Sequence, residues 1–235
     1  LCSQTLGRQS NATAWELRSR IQELLGNRTE AEKDLRQLSG MPGMAERAFL
    51  LLGQMHNRAS ERRKAIEAWR EGLKADPTSF PLRLAIAATL FEIGGQAEEA
   101  EGDELLKNLL IERPDNSGVL TLKADRLRVS NPAEAERLYE QVLQSDPGAT
   151  SAALRMVAIT RERGQYRRAT EILDRALGAS PGNAALLLTQ SDLLVATSPE
   201  RAVLAAKEAL TAEPDNELAA VTLARAWVAG GDITQ

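Results

Sequence analysis

Small and large apolar residues recur four apart in several stretches of this chain, and each such stretch closes on a proline. The clearest copies run Ala65, Trp69, Leu73 to Pro77, then Ala135, Tyr139, Leu143 to Pro147, then Ala169, Leu173, Leu177 to Pro181. A fourth runs Ala202, Ala206, Leu210 to Pro214. Spacing of four keeps these residues on one helical face, and proline stops a helix because it lacks an N–H and clashes with the preceding turn. Pro77, Pro114, Pro147, Pro181 and Pro214 lie 37, 33, 34 and 33 residues apart. A period of about 34 residues built this way predicts an array of helical repeats, each packing only on its neighbours.

Residues 1–11 are polar and without periodicity, and read as a lead-in. A helical pattern then starts at Ala12, breaks at Gly26-Asn27, resumes through Ala31, Leu35 and Leu38, and stops at Gly40-Met41-Pro42-Gly43. The repeats fall at 12–45, 46–79, 80–115, 116–149, 150–182 and 183–215, with a half repeat at 216–229 inside a 12–235 array. The third is three residues too long. Its surplus near Gln96–Asp103 predicts a longer turn or a bulged helix start. Glu98, Glu99, Glu101 and Asp103 cluster there and read as a solvated edge, because the ladder of ligands that a calcium loop needs is missing. Units four and six replace the turn glycine with Ser130-Asn131-Pro132 and Thr197-Ser198-Pro199, where serine or asparagine can cap a helix that opens on proline. The last helix carries Leu218, Val221, Leu223, Trp227 and Val228 where an end repeat is usually polar, which predicts that the array continues past it.

Counted from Glu46, the second unit has large residues at positions 4 and 7 (Phe49, Leu52), Gly53 at 8, Ala65 at 20, Trp69 at 24 and Pro77 at 32. This resembles the tetratricopeptide repeat position by position. The resemblance covers residues 12 to 229. It implies an all-α fold, a right-handed α-solenoid of helix–turn–helix repeats, with the first helices lining a concave groove through positions 5, 9 and 12. Carried over, these positions are Leu50, Gln54 and Asn57, then Leu84, Ala88 and Phe91, then Leu120, Ala124 and Leu127. The fifth and sixth repeats give Leu154, Ala158 and Arg161, then Leu187, Ser191 and Leu194, and the half repeat gives Ala220, Ala224 and Trp227. The mostly apolar set suits an amphipathic helix or an extended apolar segment of another protein. The Lys, Asn and Arg set with which some family members clamp a chain terminus is missing.

Charge changes this picture little. The net charge of −4 favours neither nucleic acid nor an anionic membrane. Arginine outnumbers lysine 23 to 6, the mark of a GC-rich, bacterial coding sequence. Two basic stretches, Arg58, Arg62, Arg63, Lys64 and Arg161, Arg163, Arg167, Arg168, fall at inner turns. They read as solvated turns, and Arg62, Arg63, Arg163, Arg167 and Arg168 are the candidate edge for an anionic partner such as a polysaccharide. Aromatic residues for base stacking are nearly lacking. No apolar run approaches the roughly 18 residues that span a bilayer.

Chemistry finds little footing. Cys2 and His56 are single and far apart, and no metal spacing, phosphate loop or nucleophile elbow is present, so neither enzyme nor cofactor is expected. His56 reads as a packing or groove-edge residue. The chain opens on Leu1-Cys2, which reads as a fragment or processed product; the leucine argues against lipidation of Cys2. The reading is a non-catalytic scaffold holding a protein segment, in bacterial envelope assembly or secretion (polysaccharide export, pilus or cytochrome biogenesis) and with the periplasm ahead of the cytoplasm. The alternative is the regulatory or substrate-presenting arm of an enzyme lying beyond Gln235.

Overall fold

All regular structure among the described residues is helical. The computed structural model describes the backbone of residues 2–231 and the side chains of residues 12–231. The expectation about the Cys2 side chain lies outside these. Two compact units divide the chain, residues 1–114 and 115–235. Unit 1 holds α1 (Cys2–Leu24), α2 (Arg28–Ser39), α3 (Ala45–Arg58), α4 (Arg62–Ala75), α5 (Phe80–Ile93) and α6 (Gln96–Glu112). Unit 2 holds α7 (Ser117–Leu127), α8 (Pro132–Ser145), α9 (Thr150–Glu162), α10 (Tyr166–Ala179), α11 (Ala184–Leu194), α12 (Pro199–Ala212) and α13 (Glu217–Ala229). Within each unit every helix packs on the next, and α3 also meets α5, α9 meets α11, and α11 meets α13. First helices thus form one layer and second helices the other, an all-α solenoid built of hairpins.

The repeat positions explain why the hairpins close. In α3 and α4, the Trp69 indole lies over Gly53, where a Cβ would stand 2.0 Å from the ring nitrogen. That nitrogen donates to the Leu50 carbonyl at 3.2 Å, so the buried ring keeps its one polar group satisfied. Proline ends the second helices as expected, and α1 starts at Cys2, ahead of the expected Ala12.

The third repeat departs from the expectation. Its turn is not longer: Gly94 and Gly95, with φ of 71° and 102°, make it in two residues. The surplus lengthens the second helix instead, since α6 has 17 residues and α4 has 14. The small residue therefore shifts to Gly102, buried under the Phe91 ring, where a Cβ would meet the ring at 2.6 Å. Nearly one helical turn is added without breaking the seam.

Capping is split between the two proline starts. The Asn131 side chain accepts from the Glu134 N–H at 3.3 Å, whereas Ser198 makes no side-chain cap bond. The shorter turns use a left-handed middle residue, Gly26, Gly164 or, uniquely among the described non-glycine residues, Ser60 at φ 60°.

Candidate functional site

The start of each first helix sets which side chains face outward. Asn116 accepts from the Val119 N–H at 3.1 Å, Asn183 from the Leu186 N–H at 3.1 Å, and Ser79 from the Leu82 N–H at 3.4 Å. These residues are equivalent N-caps, so Asn116 and Asn183 precede position 1 rather than occupy it. The fourth and sixth repeats shift by one against the sequence count. Their positions 5, 9 and 12 are Thr121, Asp125 and Arg128, then Leu188, Asp192 and Val195. So does the half repeat, where Asn216 is the N-cap and Val221, Arg225 and Val228 replace Ala220, Ala224 and Trp227.

Several expected groove residues are therefore core. Leu120, Ala124, Leu187, Ser191 and Leu194 are each 8% exposed or less. Ser191 donates its hydroxyl to the Ala202 carbonyl at 2.9 Å, inside its own hairpin. In unit 1, Phe91 packs on Gly102, and Leu50 packs beside the buried Trp69 and Ile86 cluster. Leu84, Ala88 and Leu127 are half-buried, and Gln54 and Arg161 are exposed. Asn57 is half-buried, with its Oδ1 enclosed and lacking a hydrogen-bond partner.

Where the sequence count puts Ala124 at position 9, the structure puts a carboxylate. Asp125 accepts from the Tyr139 hydroxyl at 2.6 Å and forms an ion pair with Arg155, whose Nε lies at 2.9 Å, joining the fourth repeat to the fifth. Burial and then the Asp125 hydrogen bond push the Tyr139 phenol above its ordinary range. At the next such position Asp192 pairs with Arg225. Leu154, Ala158 and Ile159 do reach open surface. With Val129, Arg128, Arg155 and Arg163, and with Glu136 and Glu162, they line a groove of about 650 Å³ between the α7–α8 turn and α9. Unit 1 has a smaller slot of about 380 Å³, where Leu17 and Leu51 stand over Leu35 and Met55. Glu23 bridges to Arg58 at its edge, at 2.8 and 2.7 Å.

The arginine edge is largely engaged already. Arg62 meets Glu92 at 3.0 Å and Arg63 meets Glu98 at 3.6 Å, while Arg163 pairs with Glu136 and Arg168 with Glu140. Of the five candidate arginines, only Arg167 has no ion pair among the described residues. The same device recurs between Arg36 and Glu71 at 3.1 Å, and between Arg70 and Glu101 at 2.6 Å. Planar guanidinium groups stitching neighbouring repeats give the abundance of arginine over lysine a structural use. The edge does not support a polysaccharide partner.

His56 is held rather than poised for chemistry. Its Nδ1 donates to Glu61 Oε2 at 2.8 Å, and its Nε2 lies 4.0 Å from Glu32. The His56 hydrogen bond, followed by that of Lys64, holds the Glu61 carboxyl at about 2 against an ordinary 4.5. A carboxyl held low contributes stability that is present above about 4.5 and lost as the pH falls toward 2. Urea unfolding followed from pH 5 to pH 2 should show Glu61→Gln with a flatter acid limb than wild type; parallel limbs would contradict this linkage. Among the described residues no cluster of His, Cys, Asp and Glu could hold a metal ion, and no helix is long and apolar enough to cross a membrane.

Paired helices of fixed period, with a small residue under a large one at each seam, define a helical-hairpin repeat protein. Residues 127–193 match the tetratricopeptide repeat family, and the chain is a tetratricopeptide repeat protein in fold. It is similar to a thermophilic tetratricopeptide repeat protein of Thermus thermophilus, at 16% identity over 78% of this chain and 99% of that one, with a TM-score of 0.60. Pseudomonas aeruginosa PilF matches at 19% identity over 80% of this chain and 85% of its own, with a TM-score of 0.55. Human IFIT1, solved as a dimer with m7Gppp-AAAA, matches at 17% identity over 93% of this chain and 56% of its own, with a TM-score of 0.57. At these identities the likeness is one of fold.

Proposed function

We propose that the chain is a non-catalytic scaffold that holds a segment of another protein in the groove beside α9. The observation that carries this reading is the groove itself, with Leu154, Ala158, Ile159 and the largely exposed Val129 presented together and rimmed by arginine and glutamate. Apolar side chains at intervals of four on α9 suit the apolar stripe of an amphipathic helix. The setting we favour is bacterial, on the strength of the arginine-rich, lysine-poor composition, and within it an assembly or secretion system, on the strength of the resemblance to tetratricopeptide repeats.

Selection of displayed random 12-residue segments tests the reading. Wild type should enrich segments with apolar residues at helical spacing. Leu154→Asp, a change at a half-buried surface position, should lower their affinity at least about tenfold while leaving the helical circular dichroism unchanged. Equal binding by both proteins would overturn the groove.

A further inference from the structure

A second cavity of unit 2 lies mostly among second helices, and nothing in the groove reading uses it. About 700 Å³ opens between α8 and the start of α10, a volume in the range of ligand pockets. Its floor is apolar: Leu143, Pro147, Met156 and Ile172, the last two 1% and 8% exposed. At its mouth stands Tyr166, 60% exposed, at the helix position that α8 and α12 fill with proline.

The charges around it are equally specific. Arg168 is neutralised by Glu140 from the preceding repeat. Arg167 and Arg175 make no ion pair among the described residues, although most arginines of the chain are paired. Glu171 lies four residues from each, leaving the cleft one charge positive on a protein of net charge −4. An aromatic mouth, an apolar floor and two available guanidinium groups complement one chemistry: an apolar side chain flanked by carboxylates.

We propose that this cleft is a second docking site, which takes an acidic linear segment of a partner protein anchored by one bulky apolar residue. The site is separate from the α9 groove, so one chain would hold two segments at once. Attraction comes from exposed charges and falls with ionic strength, whereas the anchor does not.

The probe is a fluorescein-labelled peptide with one Phe between two runs of three Glu, compared with the same peptide carrying Lys or Ser in place of Glu. Anisotropy on the whole chain should report binding of the Glu peptide above the other two. The double variant Arg167→Glu, Arg175→Glu changes two exposed side chains only. It should weaken the Glu peptide at least about tenfold and transfer preference to the Lys peptide. Leu154→Asp should leave the Glu peptide unaffected. Failure of all three peptides to bind, or indifference to the charge reversal, would overturn the second site. Loss of binding in Leu154→Asp alone would assign the peptide to the α9 groove and overturn it equally.

Discussion

Trp69→Ala is expected to lower the unfolding free energy of unit 1 by about 4 kcal/mol, the middle of the range for deleting a buried aromatic. The indole is 2% exposed, seals Gly53 against α4 and donates to the Leu50 carbonyl. Its loss opens a cavity between α3 and α4 and removes the second hydrogen bond of that carbonyl, which keeps its helical one. The converse change, Gly53→Ala, adds a methyl where the ring already stands and should cost about 2–3 kcal/mol through overpacking. The methyl would meet the indole at Nε1, Cε2 and Cδ1, the five-membered ring. Trp69→Ala removes that ring, so Gly53→Ala combined with Trp69→Ala should cost less than the sum of the two singles. Urea unfolding of the four proteins measures the coupling. Strict additivity would mean that the two residues do not share the seam.

The largest effect expected in unit 2 is at Tyr139, which occupies the same repeat position as Trp69. It is fully buried, with its hydroxyl on Asp125. Tyr139→Ala should cost about 4 kcal/mol. Tyr139→Phe keeps the packing and removes only the hydrogen bond to a charged acceptor, a loss of about 1.5–3 kcal/mol. Asp125 retains Arg155 in that variant. Adding Arg155→Met should then cost more than it does in wild type, because the carboxylate loses its remaining partner. Unfolding midpoints of this set decide the point; an unchanged cost of Arg155→Met would show that Asp125 is satisfied from elsewhere.

Much of this was legible in the chain. Ala65, Trp69 and Pro77, and their copies, revealed the period because a tight helical seam admits only small residues opposite large ones. The seams at Gly53 and Ala65 sit where the spacing placed them. The outward-facing residues were harder to read, for a specific reason. An N-cap asparagine such as Asn116 or Asn183 lies outside the helix, yet in the sequence it looks the same as a first helical residue. Counting it displaced the register by one in two repeats and in the half repeat capped by Asn216, and one residue rotates a helix by about 100°. That turned Leu120 and Leu187 inward and brought Asp125 and Asp192 to the face where alanine and serine were expected. The third repeat misled similarly, since a three-residue surplus can lengthen either a turn or a helix, and Gly102 under Phe91 decides for the helix. The arginine partners were beyond local pattern altogether, because each lies about one repeat away and is joined only by the stacking of hairpins.

Hydrogen exchange on the chain, with and without a display-selected segment, tests the central claim most directly. The scaffold reading predicts that bound segment slows exchange in residues 150–162 and in the turn 128–131, and that Leu154→Asp abolishes the slowing. Protection confined to other helices, or unchanged in Leu154→Asp, would contradict it.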